Sequence, residues 1–390
     1  MFRKTVLALA ATVLMFPAVI AFAGGDEDMD SGSRDADTGL IDFLKNVSVG
    51  IYIDMGYEYN FNNPKSDENA FRSLDPDHNE FELHMAQLSL EKTPTGNKTL
   101  GDYVGFRIDL SFGEDAERIH AGGLGEDDQP FDLTQAYINI LAPIGNGLNI
   151  YAGKFVTLAG FEVIEAKGNP NITRSFLFGL AIPFTHTGIR LAYATGPVTL
   201  TVGLNNGWDV VDDNNDGKTI ETQIALELER ASFYLTGYFG PEDDGVDSDW
   251  RELITFVGSV TPIEPLTLSF DLDFGWEQDF NFEAGQDDAF WWGIAGYVVY
   301  EISPVFSIAL RGEFFDDNDG VRTGFEQQMW EITPTLSIKP FAGRSGLENL
   351  EFRVEYRHDQ SNEDVFEDSD GDFKDTQDTI AFQLLYYFST

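Results

Sequence analysis

Carboxylates and arginines recur at every second position of several alternating segments, and that spacing collects them on one face. Asp54, Glu58, Glu82, Asp109, Glu227, Asp271, Asp273, Glu313, Glu331, Glu351 and Glu355 share it with Arg107, Arg190, Arg311, Arg353 and Arg357. Around a water-filled space, such carboxylates draw cations, and arginines set against acids lay a field across the opening. A mixed face can also simply neutralise itself. Covalent chemistry is poorly served: the 5 histidines stand in no Ser/His pattern that would join a nucleophile to its base. No enzyme is expected. There is no cysteine, which removes thiolate metal sites and haem attachment through thioethers. Asp212, Asn214 and Asp216 have the spacing that opens a calcium loop, with Gly217 at its turn. Gln223 stands where the closing glutamate belongs, so a solvated acidic turn is the better reading. No cofactor is expected, beyond divalent cations held loosely on acidic loops.

The elements that must position these charges are strands. Val47, Val49, Ile51, Ile53, Met55, Tyr57, Tyr59 and Phe61 alternate with Ser48, Gly50, Tyr52, Asp54, Gly56, Glu58 and Asn60. Successive side chains of a strand point to opposite faces, so residues 47–61 form a strand with one apolar and one wet side. The pattern recurs to the end of the chain. Residues 266–276 send Leu266, Leu268, Phe270, Leu272, Phe274 and Trp276 outward, with Asp271 and Asp273 inward. Residues 81–92 send Phe81, Leu83, Met85, Leu88 and Leu90 outward, with a change of phase near Ala86 that predicts a bulge. The phase of 148–155 is left open. About 16 such segments, joined alternately by short and long connections, define an all-β transmembrane antiparallel barrel with long outer loops.

The charge is extreme: Lys+Arg number 24 and Asp+Glu 67, a net -43. Such a polyanion does not bind nucleic acid. It suits cations at a pore mouth, and it equally suits adaptation to a salty environment. A mean hydropathy of -0.20 fits a barrel, half of whose strand residues face water. Residues 1–23 read as a secretory signal: Arg3 and Lys4, then an apolar stretch, then Ala21-Phe22-Ala23. Residues 24–46 form an acidic, mostly disordered segment, and 47–390 the barrel.

The third long connection, 156–187, is the least acidic and carries its own apolar residues, Phe176-Leu177-Phe178 and Ile182-Pro183-Phe184. Those must be buried, and folding into the lumen as a constriction buries them. Glu162, Glu165, Arg174 and His186 are its candidate constriction residues, opposite some of Arg107, Arg311, Arg353 and Arg357. This region also carries a resemblance. The stretch from Gly153-Lys154-Phe155 through Asn171, Arg174, Ser175, His186 and Thr187 to Asn206-Gly207-Trp208-Asp209 resembles the β-barrel porin-2 family of bacterial outer membranes. The resemblance is specific over 131–224 and general elsewhere. It implies an outer-membrane porin and names no substrate. The expected function is a water-filled, cation-favouring channel for small hydrophilic solutes in the outer membrane. A structural or adhesive barrel with a plugged lumen is the alternative. The expected partners are outer-membrane lipid and lipopolysaccharide, together with solutes and ions. Gly296 and Gly312, outward on adjacent strands, mark a face on which a second copy of the chain could pack. One departure stands at the C-terminal end, where Phe388 is followed by Ser389 and Thr390 instead of closing on an aromatic residue.

Overall fold

A computed structural model describes residues 46–390 except 98, 126–128 and 281–286. The expected signal peptide, 1–23, and nearly all of the acidic segment, 24–46, lie outside the described residues. The barrel strands are β1 (Ser48–Asn60), β2 (Glu80–Lys92), β3 (Val104–Phe112), β4 (Phe131–Ala142), β5 (Leu148–Val156), β6 (Thr185–Thr195), β7 (Val198–Asn205) and β8 (Thr219–Leu228). They continue with β9 (Ala231–Pro241), β10 (Trp250–Ile263), β11 (Leu266–Phe280), β12 (Asp287–Glu301), β13 (Phe306–Asp317), β14 (Gln327–Ile338) and β15 (Leu350–Ser361). Between β15 and the last barrel strand, β16 (Phe366–Glu367) and β17 (Phe373–Lys374) make a two-residue ladder within an outer loop. The last strand, β18 (Thr376–Ser389), pairs with β1, so 16 antiparallel strands close in chain order. Closure leaves no sheet edge, which the hydrocarbon core demands of any spanning sheet.

Alternation decides which way each side chain points. Ile51, Ile53 and Met55 are exposed on the outer surface, whereas Tyr52, Asp54 and Glu58 are buried in the lumen. In β11, Leu268 is exposed while Ser269, Asp271 and Asp273 are buried. Phe270 packs outward against Phe256 of β10, ring centroids 5.2 Å apart. Phe270→Arg is therefore expected to destabilise the inserted barrel by ~2–4 kcal/mol, as for a cation near the bilayer midplane. Denaturant unfolding from lipid vesicles measures this, and an unchanged midpoint would place Phe270 in the lumen.

The bulge falls elsewhere than predicted. Asp54 pairs with Met85 and Gly56 with Glu82, so the extra residue of β2 lies at Leu83–His84. Met85 consequently points inward and is completely buried, contrary to the outward position read from its apolarity. The open phase of β5 is settled with Ala152 outward and Tyr151 and Phe155 lining a lumen cavity.

The turns at one end are tight. β6 and β7 are joined by Gly196-Pro197, with Gly196 at φ 60°, the positive value that a two-residue hairpin needs. At the other end the connections are long, which makes it the outer end. One of them, 113–130, carries a short helix, α1 (Glu114–Arg118). At the sixth, the flanking strands run to Phe280 and resume at Asp287.

Candidate functional site

The third outer connection spans 157–184, since Thr185, His186 and Thr187 already pair with β5. It folds into the lumen. An irregular segment at membrane depth must find partners inside the protein for every buried N–H and C=O. The inward charges of β11 and β13–β15 supply them. Glu313 accepts hydrogen bonds from the Phe176 and Leu177 amides at 2.7 and 2.6 Å. Glu355 accepts from Ile172 and Thr173 at 2.6 and 2.9 Å. Asp271 accepts from Phe161 at 2.7 Å. The arginines serve the carbonyls: Arg311 donates to Thr173, Arg353 to Ala166 and Arg357 to Arg174.

Arg311 is the hub. It is fully buried and pairs with Glu162 of the loop at 2.8 Å and Glu331 of β14 at 2.7 Å. Glu162 also accepts from the Ser175 amide, so it ties two arms of the loop together. Arg174 points back into its own loop and donates to Val163, Ile164 and Ile172 carbonyls. The apolar residues behave as their burial demand requires. Phe176, Leu177, Phe178, Ala181 and Ile182 join one core with Leu253, Trp291, Phe315 and Met329 of the wall.

The outer end of the loop is clasped by two others. Asp209 accepts from the Phe184 and Thr185 amides at 2.9 and 2.7 Å. Arg322 donates to the Leu180 carbonyl and lies over the rings of Trp208 and Trp291. Burial pushes the Asp209 carboxyl up to about 6. It pushes Glu242, which accepts from the Trp208 amide, up to about 7. In both outer-loop acids burial disfavours the charged form, against the amides that stabilise it.

The remaining sequence candidates sit as follows. His186 is the second residue of β6, fully buried and stacked on Tyr238 at 4.6 Å, so it belongs to the wall. Arg190 pairs with Glu221 at 2.5 Å and covers the Phe155 ring. Arg107 pairs with Asp109 at 2.8 Å. Glu165 accepts from Gln87 at 2.9 Å. In the acidic outer turn, Asn214 donates to Glu242 and Asp244, and the Asp216 amide to Asp247. Asp212 lies beside Gly123 of the second outer loop. Among the described residues no three His, Asp or Glu side chains group as metal ligands would.

Open space remains on the opposite side of the lumen. A cavity of about 460 Å³ lies between the start of the loop and β3–β7, lined by Arg107, Tyr137, Tyr151, Phe155, Glu165 and Phe178 among others. A second, of about 320 Å³, lies at the short-turn end, lined by Ser48, Glu91, Arg107, Lys167 and Tyr387. Arg107 borders both. Sequence reasoning missed Lys167, Asp209, Arg322 and Trp208 as members of the site. Trp208 and Asp209 did stand in the motif that carried the family resemblance.

A closed barrel of porin size, lipid-facing outside and charged within, with one outer loop folded into the lumen, defines an outer-membrane channel protein. The chain belongs to the family described as "Putative beta-barrel porin-2, OmpL-like", which matches residues 46–388. Solved structures agree on the fold. The anion-selective porin from Comamonas acidovorans shares 11% identity over 88% of this chain and 99% of its own, with a TM-score of 0.57. The outer membrane channel DcaP of Acinetobacter baumannii shares 14% identity over 87% and 97%, with a TM-score of 0.53. A loop-deletion form of OmpT, an outer membrane protein of Vibrio cholerae, shares 10% over 88% and 99%, with a TM-score of 0.54. No curated protein gives a significant match. Family and fold place the chain in the bacterial outer membrane and point to a channel and not an enzyme.

Proposed function

We propose that the chain conducts small hydrophilic solutes by passive diffusion, through a space that its third loop confines to the β3–β7 side. The observation that carries this is the unequal use of the lumen. On β11 and β13–β15, Asp271, Arg311, Glu313, Arg353, Glu355 and Arg357 are spent on holding the loop. Facing them lies the cavity of about 460 Å³, bordered by Arg107 and Glu165. Cations are favoured over anions, but the preference arises at the acidic outer mouth. Several wall carboxylates that would have attracted ions, Asp271, Glu313 and Glu355 among them, already accept hydrogen bonds from the loop. Lipid covers the exposed apolar belt, and the bare surface at Gly296 leaves room for a second copy.

Reversal potentials in planar bilayers under a KCl gradient test the selectivity. A cation preference is expected at low salt, fading towards ~1 M, where the Debye length falls to ~3 Å. A preference for chloride at low salt would overturn it. A second reading, a structural barrel with a plugged lumen, is favoured by the complete burial of Phe176, Trp291 and Arg311. It predicts no conductance steps at all.

A further inference from the structure

Lys167 is a cation set against aromatic rings. It hangs at the inward tip of the third loop, half-buried, its ammonium 4.6 Å from the Tyr52 ring centroid and 6.0 Å from that of Tyr387. It has no ion pair among the described residues. Arg107 faces the same cavity of about 320 Å³. Its Nε is taken by Asp109, and Nη1 lies 3.6 Å from the half-exposed Glu91, beyond hydrogen-bond range. Among the described residues no hydrogen bond engages either terminal nitrogen of that guanidinium. Two cations thus converge on one small space in a chain of net charge -43. Withdrawing an ammonium from water without a counter-ion is costly, and an anion placed there removes the cost. The carboxylates around the two cations are Glu91 and Asp109, beside Arg107, and Glu165, which accepts from Gln87. Glu165 and Asp109 attract Lys167 from a distance, without an ion pair among the described residues.

We infer that Arg107 and Lys167 form an inner subsite for small organic carboxylates with a compact aromatic body. The carboxylate would sit between the two cations. The body would extend past Arg107 into the adjoining cavity, whose wall carries the partly exposed rings of Tyr137 and Tyr151. A guanidinium edge binds a carboxylate with direction as well as charge. This rests on the channel reading above, and it adds a solute class that the acidic mouths by themselves would discourage.

The test is a binding measurement on the full chain in detergent micelles, independent of conductance. Fluorine NMR follows 4-fluorobenzoate, with 4-fluorobenzyl alcohol and acetate as controls. Saturable binding of the benzoate is expected, with affinity falling about tenfold or more in Arg107→Gln and in Lys167→Gln. Arg107→Lys should retain part of it, and the alcohol and acetate should bind far more weakly. Heat-modified gel mobility establishes that each variant is folded. Equal binding of alcohol and benzoate would reduce the site to an apolar pocket and overturn the proposal. So would benzoate affinity unchanged in both glutamine variants, or acetate binding as tightly as benzoate. A chain that conducts but does not bind benzoate loses only the subsite. One that binds it and never conducts loses only the channel.

Discussion

Replacing residues 160–175 with a short Gly/Ser linker is expected to raise single-channel conductance several-fold and to admit larger sugars in liposome swelling. A barrel of 16 strands encloses an aqueous lumen wide enough to conduct unless something fills it. Here the filling is this stretch. It carries Glu162, the partner of Arg311, and the Ile172 and Thr173 amides that Glu355 receives. It also carries the Ala166 and Asn171 carbonyls that Arg353 serves. Without it, Glu355 and Arg353 lose their loop partners and return to water. The barrel itself should survive, since its ladders are formed strand to strand. A shortened protein that inserts, shows normal heat-modified mobility and conducts like the parent would place the loop outside the conduction path.

Arg311→Met is expected to be the most damaging single substitution in the lumen. Removing one partner of a buried ion pair leaves the other uncompensated, at a typical cost of ~3–5 kcal/mol. Arg311 faces two, Glu162 and Glu331, and also holds the Thr173 carbonyl. Denaturant unfolding from vesicles should show the loss. Noisy, enlarged conductance should accompany it as the loop loosens. Adding Glu162→Gln and Glu331→Gln should recover a large part of the stability, because neutral amides tolerate the site better than two bare carboxylates. Failure of that rescue would mean that the Thr173 contact, and not charge, carries the effect.

The barrel was legible because alternation is a local property. Leu266 to Trp276 states its two faces without help from any other segment, and the strands around it repeat the message. The bulge at Leu83–His84 was misread because Leu83 and Met85 are both apolar. The pattern keeps its phase there until Ala86-Gln87, although the backbone has already slipped. The entry of the third loop could be read from Phe176-Leu177-Phe178, whose burial requires a wall. The task of the wall charges could not. Alternation tells which way Glu313, Glu355 or Arg357 points, not whether it meets an ion, a counter-charge or the amide of a segment far away in sequence. His186 was assigned to the loop because the strand that holds it opens with Thr-His-Thr, which has no apolar alternation of its own.

Order of synthesis adds a consequence to the loop's mode of anchoring. Glu162 precedes its partner Arg311 by 149 residues, and Ala166 precedes Arg353 by 187. The plug is therefore made long before its dock. While β13–β15 are absent, the Ile172, Thr173, Phe176 and Leu177 amides lack their acceptors Glu355 and Glu313, and the loop is held by fewer anchors. A half-assembled sheet would thus stay open and hydrated through its middle. Its first strand meanwhile presents an unpaired edge until β18 arrives, an invitation to pair with other chains. Obstruction of the lumen and loss of that edge both depend on the C-terminal strands, so a barrel lacking them would be wider and stickier than the closed one.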